Sequence, residues 1–138
     1  MRFTLPALFV ALASPAIAAE KDTRVYEMRV YTAEPGKLDA LHARFKDHTL
    51  KLFEKHGITN LWYFTLMKDQ KSADEKLIYF LAHRNIDAAK TSFDAFRKDP
   101  DWTKVRTASE EKAGGPLTVK EGGVKSEFLK PTDYSPTK

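Results

Sequence analysis

Between Val25 and Tyr31 the chain alternates in strand fashion, with Tyr26, Met28 and Val30 on one face and Val25, Glu27, Arg29 and Tyr31 on the other. One side is apolar and the other mixed. Pro35-Gly36 breaks the pattern, and Leu38, Leu41, Phe45, His48 and Leu52 then recur at helical spacing, predicting a helix buried along one stripe and closed at Gly57. Ile58–Met67 and Lys76–Arg84 are aromatic-rich runs of strand length joined by the polar segment Lys68–Glu75, which predicts a hairpin. Leu61, Tyr63 and Met67 oppose Trp62, Phe64 and Leu66, while Leu77, Tyr79 and Leu81 oppose Ile78, Phe80 and Ala82. Both hairpin faces are therefore apolar. Asn85 or Asp87 can cap a second helix carrying Ile86, Ala89, Phe93 and Phe96 on one side. Asp99 and Pro100 open a third as N-cap and first helical residue, with Trp102 and Val105 inward, and Gly114-Gly115-Pro116 ends it. A last strand falls within Leu117–Leu129, bulged or divided at Gly122-Gly123.

The order β-α-β-β-α-(α)-β predicts a ferredoxin-like α+β fold, a four-stranded antiparallel sheet with helices on one side. Helices of the same chain can cover one face of the hairpin, but the second apolar face needs another layer. A second copy laid sheet to sheet would supply it, giving a homodimeric α+β barrel.

Composition narrows the setting. The 138 residues, 42% hydrophobic and 30% charged, suit one domain. The formal charge of +4 is spread in single and paired basic residues, which does not indicate nucleic-acid binding. The absence of cysteine excludes disulfides, thiolate metal sites and a cysteine nucleophile. Arg2, the apolar stretch Phe3 to Ala13 and the small residues Ala16 and Ala18 read as a secretory signal over residues 1–18, cleaved after Ala18. A stable membrane span is not expected, because Pro6 and Ser14-Pro15 interrupt an apolar stretch shorter than the ~20 residues a spanning helix needs. The expected organisation is a signal peptide (1–18), one domain (19–130) and a polar, proline-bearing tail (131–138), in a periplasmic or secreted protein.

The strings VYEMRVYTAEPGKLDALHARF, KHGI, WYF, KDPDW and FLKPTDYSP stand in one order from about Arg24 to Pro136, and with them the chain resembles the NIPSNAP family. The resemblance implies a dimeric α+β barrel, in agreement with the two-sided hairpin. Animal members are mitochondrial and linked to vesicle traffic and mitophagy signalling, whereas this chain carries a secretory signal. The family supplies no catalytic residues to transfer.

Candidate chemistry rests on individual side chains. His48, on the predicted buried stripe, could act as proton acceptor or donor between helix and sheet, or be a satisfied core histidine. His56 beside the cap glycine reads as structural, and His83 at the end of its strand reads as facing solvent. No two histidines have the spacing that places two ligands on one metal, so no metal site is expected. Glu27, Arg29 and Tyr31 could orient a carbonyl or carboxylate ligand if their face lines a cavity, or form ion pairs with neighbouring strands. Trp62, Tyr63, Phe64, Tyr79 and Phe80 could wall a pocket for a flat apolar ligand, or be core and dimer interface. The GxSxG, P-loop, GxGxxG and HExxH patterns are absent. The expected function is a homodimeric barrel binding a small apolar or aromatic molecule, without a cofactor. One alternative is an enzyme like the cofactor-independent monooxygenases and haem-degrading enzymes of the same barrel architecture, with His48, Arg29 and Tyr63 as catalytic candidates and Glu27, Tyr31, Trp62, Phe64 and Tyr79 as ligand contacts. Another is a protein-interaction module.

Overall fold

The structure, a computed structural model, describes residues 23–136; the expected signal peptide lies outside the described residues. Four strands, β1 (Val25–Thr32), β2 (Thr59–Thr65), β3 (Lys76–His83) and β4 (Val124–Leu129), form an antiparallel sheet in the order β2-β3-β1-β4. Between them run α1 (Leu38–Arg44), a π-helical turn (Phe45–Thr49), α2 (Leu50–Lys55), α3 (Ile86–Lys98) and α4 (Pro100–Ala113). This is the expected ferredoxin-like α+β fold.

Pairing register decides which residues share a face. Arg29 stands opposite Tyr79 and Ser126, Glu27 opposite Leu81 and Phe128, and Tyr63 opposite Tyr79. All of these point toward the helices, so the mixed side of β1 is the covered one. Under the helices lie Leu41, Phe45, Leu52 and Phe53 from the first helical segment, Leu77, Tyr79 and Leu81 from β3, and Phe93 and Phe96 from α3. Burying each fully sequestered apolar side chain contributes about 1.5–3 kcal/mol. The opposite face carries Tyr26, Met28, Val30, Ile78, Phe80, Trp62 and Phe64, with no element of this chain across it among the described residues. There Trp62 and Phe64 are 58% and 50% exposed and meet Phe80 edge to face.

The first helix departs from expectation in its middle. Leu50 N–H donates to the Phe45 carbonyl five residues back, and the Thr49 hydroxyl donates to the Arg44 carbonyl at 3.2 Å. A π turn fits more residues into one revolution than an α-helix, so it shifts the facing of the residues C-terminal to it. Thr49 takes the inward place and His48 is exposed, which corrects its expected position on the buried stripe. Beyond the turn Leu52 and Phe53 return to the core, and Gly57, at φ +75°, closes the segment.

Asn85 caps α3 by accepting from Ala88 N–H at 2.7 Å; Ala89, Phe93 and Phe96 are buried, whereas Ile86 at the helix start is exposed. Asp99 caps α4 through a bond from Asp101 N–H at 2.8 Å, and Pro100 is its first residue. Its carboxylate also meets His56 at 2.7 Å and Lys55 at 2.8 Å. Hydrogen bonds from Lys55, His56 and Asp101 hold the Asp99 carboxyl well below the usual carboxylate range. Helix α4 has no buried residue and packs on α1 and α3, forming an outer roof. The final strand is divided as expected: Thr118 bridges Ala33, the chain turns, and β4 begins at Val124. A Cβ on Gly123 would sit 1.8 Å from the Val119 carbonyl oxygen, so this close approach admits only glycine.

Candidate functional site

Two layers of side chains meet between the sheet and the helices. In the deeper layer, Glu27 is fully buried and takes three partners: Arg29 Nε at 2.6 Å and Ser126 Oγ at 2.5 Å on one oxygen, His83 Nε2 at 2.7 Å on the other. Burial pushes the Glu27 carboxyl up, but the bonds from His83 and Ser126 and the charge of Arg29 outweigh it and hold its pKa below the ordinary 4.5. An ionised carboxylate only accepts, so His83 Nε2 carries the shared proton. His83 is buried, not solvent-facing as its position at the strand end suggested, because it continues the inward alternation of Leu77, Tyr79 and Leu81. Burial also works against the charge of Arg29, yet nearby Tyr79, Tyr31 and Glu27 raise its pKa above normal. Its guanidinium lies 3.8 Å over the Phe93 ring.

Beside this network a cleft of about 290 Å³ opens under the α4 roof. Its lining is largely aromatic, formed by Phe45, Phe53, Phe93 and Phe96 together with Trp102 of α4 itself. Tyr31 and Arg29 line the sheet side, Arg44 and Thr49 the α1 side, and Arg97 and Arg106 stand exposed at the mouth. The inward-facing Thr49 and the buried Arg44 bracket the π turn, so that turn shapes the cleft wall. A cavity of ~150 Å³ holds benzene. The space here suits a molecule of one or two rings.

Arg44 is the unusual member. Its side chain is 5% exposed, Nη1 reaches Ser109 Oγ only at 3.5 Å and Glu110 at 3.7 Å, and Nε is buried without a partner among the described residues. Burial lowers its pKa, partly offset by Glu110. Its guanidinium stands 5.3 Å from the Trp102 ring.

The predicted site residues divide between places. Arg29 and Tyr31 line the cleft and Glu27 anchors Arg29 from below. Tyr79 is wholly buried beneath it, close to Tyr31, and its ionisation is strongly suppressed by burial and by Tyr31. Tyr63 stacks on Tyr79 with centroids 5.1 Å apart and donates to Asn60 at 2.6 Å; burial first, then Tyr31 and Glu54, raise its pKa. It does not line the cleft. Trp62 and Phe64 lie on the other sheet face, so the aromatic group of the hairpin does not wall one pocket. His48 edges a wider outer groove of about 610 Å³ between α1 and α4, flanked by alanines and lysine stems. Apart from Arg44, which stands in the wall shared with the cleft, that groove holds no buried polar group. Among the described residues no three His, Asp or Glu side chains converge as a metal site requires.

The NIPSNAP family profile matches residues 26–136. No curated protein sequence matches the chain. Among solved structures, a NIPSNAP-like domain protein from Burkholderia xenovorans is similar at 14% identity and TM-score 0.66, covering 83% of this chain and 90% of that one. A NIPSNAP family protein with unknown function from Agrobacterium tumefaciens is similar at 17% identity and TM-score 0.66, covering 84% and 95%. SnoaB, a cofactor-independent oxygenase from Streptomyces nogalater, shares the fold at 15% identity and TM-score 0.53, covering 83% and 98%.

Proposed function

The chain belongs to the NIPSNAP family, and from that premise we propose that it is an exported homodimeric barrel holding a small, largely aromatic molecule between its helices and its sheet. The observation that carries this reading is the cleft of about 290 Å³ lined by Phe45, Phe53, Phe93, Phe96 and Trp102. An aromatic-lined space with a few polar groups at one side is how proteins hold small flat ligands. The bare sheet face supports pairing, because Trp62, Phe64 and Phe80 form a contiguous apolar patch that a second copy would cover across a two-fold axis. Export rests on the segment 1–18 and is checked by fractionating cells that make the full chain.

Mass spectrometry of the native protein, followed by solvent extraction, tests the ligand. A bound species of one or two rings supports the reading. Failure to bind any member of an aromatic panel in calorimetry contradicts it. A second reading, oxygenase chemistry, draws on the fold shared with SnoaB and on the neighbouring Tyr31 and Tyr79 rings, 5.3 Å apart, at and beneath the cleft. It predicts oxygen consumption when an easily oxidised polycyclic phenol is added.

A further inference from the structure

Four guanidinium groups, Arg29, Arg44, Arg97 and Arg106, line the cleft. Among the described residues three carboxylates answer them: Glu27 pairs with Arg29, Asp94 with Arg97, and Glu110 is shared between Arg106 at 3.2 Å and Arg44 at 3.7 Å. The shortfall falls on Arg44, because Arg106 holds Glu110 at hydrogen-bond distance and Arg44 does not. Arg44 is also the deeper of the two, with a side chain 5% exposed against 61% for Arg106. A charge taken out of water must be offset by close partners, and a guanidinium left without them is costly. Among the described residues its polar contacts fall on Nη1, while Nε on the other edge has no hydrogen-bond partner.

Resting on the reading of the cleft as a ligand chamber, we propose that its ligand is an aromatic acid whose carboxylate pairs with Arg44. The planar guanidinium edge matches the two oxygens of a carboxylate. The ring of such a ligand would lie among Phe93, Phe96 and Trp102, and Arg97 and Arg106 at the mouth would draw the anion in. A neutral aromatic would fill the same space and leave Arg44 as it is.

Calorimetry with 1-naphthoate and its neutral counterpart 1-naphthamide, on the wild-type chain, separates the two ideas. Naphthoate is expected to bind at least about tenfold more tightly, and Arg44→Met to remove that preference while Arg44→Lys keeps part of it. Equal binding of acid and amide overturns the carboxylate assignment and leaves the aromatic chamber standing. Binding of neither overturns both. Because the comparison is made first on the wild-type protein, its outcome does not depend on the variants folding. A preference for naphthoate that survives intact in a folded Arg44→Met protein also overturns the assignment, since another cation would then hold the acid.

Discussion

His83 Nε2 lies 2.7 Å from Glu27 Oε2, joining β3 to β1 through two side chains that are both buried. The folded-state pKa of Glu27 lies below its ordinary value of 4.5. Its contribution to stability is therefore complete above pH 4.5 and is lost as the pH falls through the lower, folded value. The stability gap between wild type and Glu27→Gln is expected to stay constant at neutral pH and to shrink as the pH falls below the ordinary 4.5, read by urea denaturation at each pH. At neutral pH Glu27→Ala, which strands His83 and Arg29 without their acceptor, should cost about 3–5 kcal/mol.

The core under the cleft is built around Phe53, which is 1% exposed and meets Phe45, Phe93 and Phe96 at ring distances of 6.2, 5.6 and 5.0 Å. Phe53→Ala should destabilise the chain by about 3–5 kcal/mol in chemical denaturation. It should also weaken the binding of any ligand of the cleft, since Phe53 forms part of its lining.

His48 stands exposed on the π turn, outside the cleft. His48→Ala is expected to change stability by no more than about 0.5 kcal/mol and to leave ligand affinity unaltered. A large loss of either would return His48 to the site.

Much of this arrangement is legible in the residues. Period-two alternation marks the strands, and Asn85, Asp99-Pro100 and Gly57 mark helix ends where the structure has them. The same alternation, carried one step past Leu81, points His83 inward; its place at the strand end hides this. The facing of His48 is hidden for a different reason. Helical spacing assumes a constant turn, and nothing in FKDHT announces that the backbone there adds a residue to its revolution. Arg44 is the cleft residue that sequence reasoning misses, although it sits three positions after Leu41, on the wide face an amphipathic helix buries. A lone arginine at such a position signals either a buried ion pair or a receptor for an anion. The proposal of an anion receptor rests on the geometry of Glu110, which Arg106 holds at 3.2 Å and Arg44 approaches only to 3.7 Å.

Phe64 is half exposed on the bare sheet face, opposite Ile78 and edge to face with Phe80. In a two-fold dimer each substitution enters the interface twice. Phe64→Lys should cost several kcal/mol of pairing energy, two or more decades in the dimer dissociation constant. Sedimentation equilibrium at micromolar concentration is expected to show a dimer for the wild type and a folded monomer for the variant. A wild type that is monomeric there would contradict the pairing.

The two tryptophans of the chain stand on opposite sides of the sheet, Trp102 at the cleft and Trp62 on the bare face. Trp62→Phe leaves only Trp102 to emit, and Trp102→Phe leaves only Trp62. Titrating each variant with 1-naphthoate and following tryptophan fluorescence asks directly which side of the sheet is the ligand chamber. The emission of Trp102 should change and saturate while that of Trp62 stays constant. A saturable change confined to Trp62 would contradict the account, moving the chamber into the space between paired sheets.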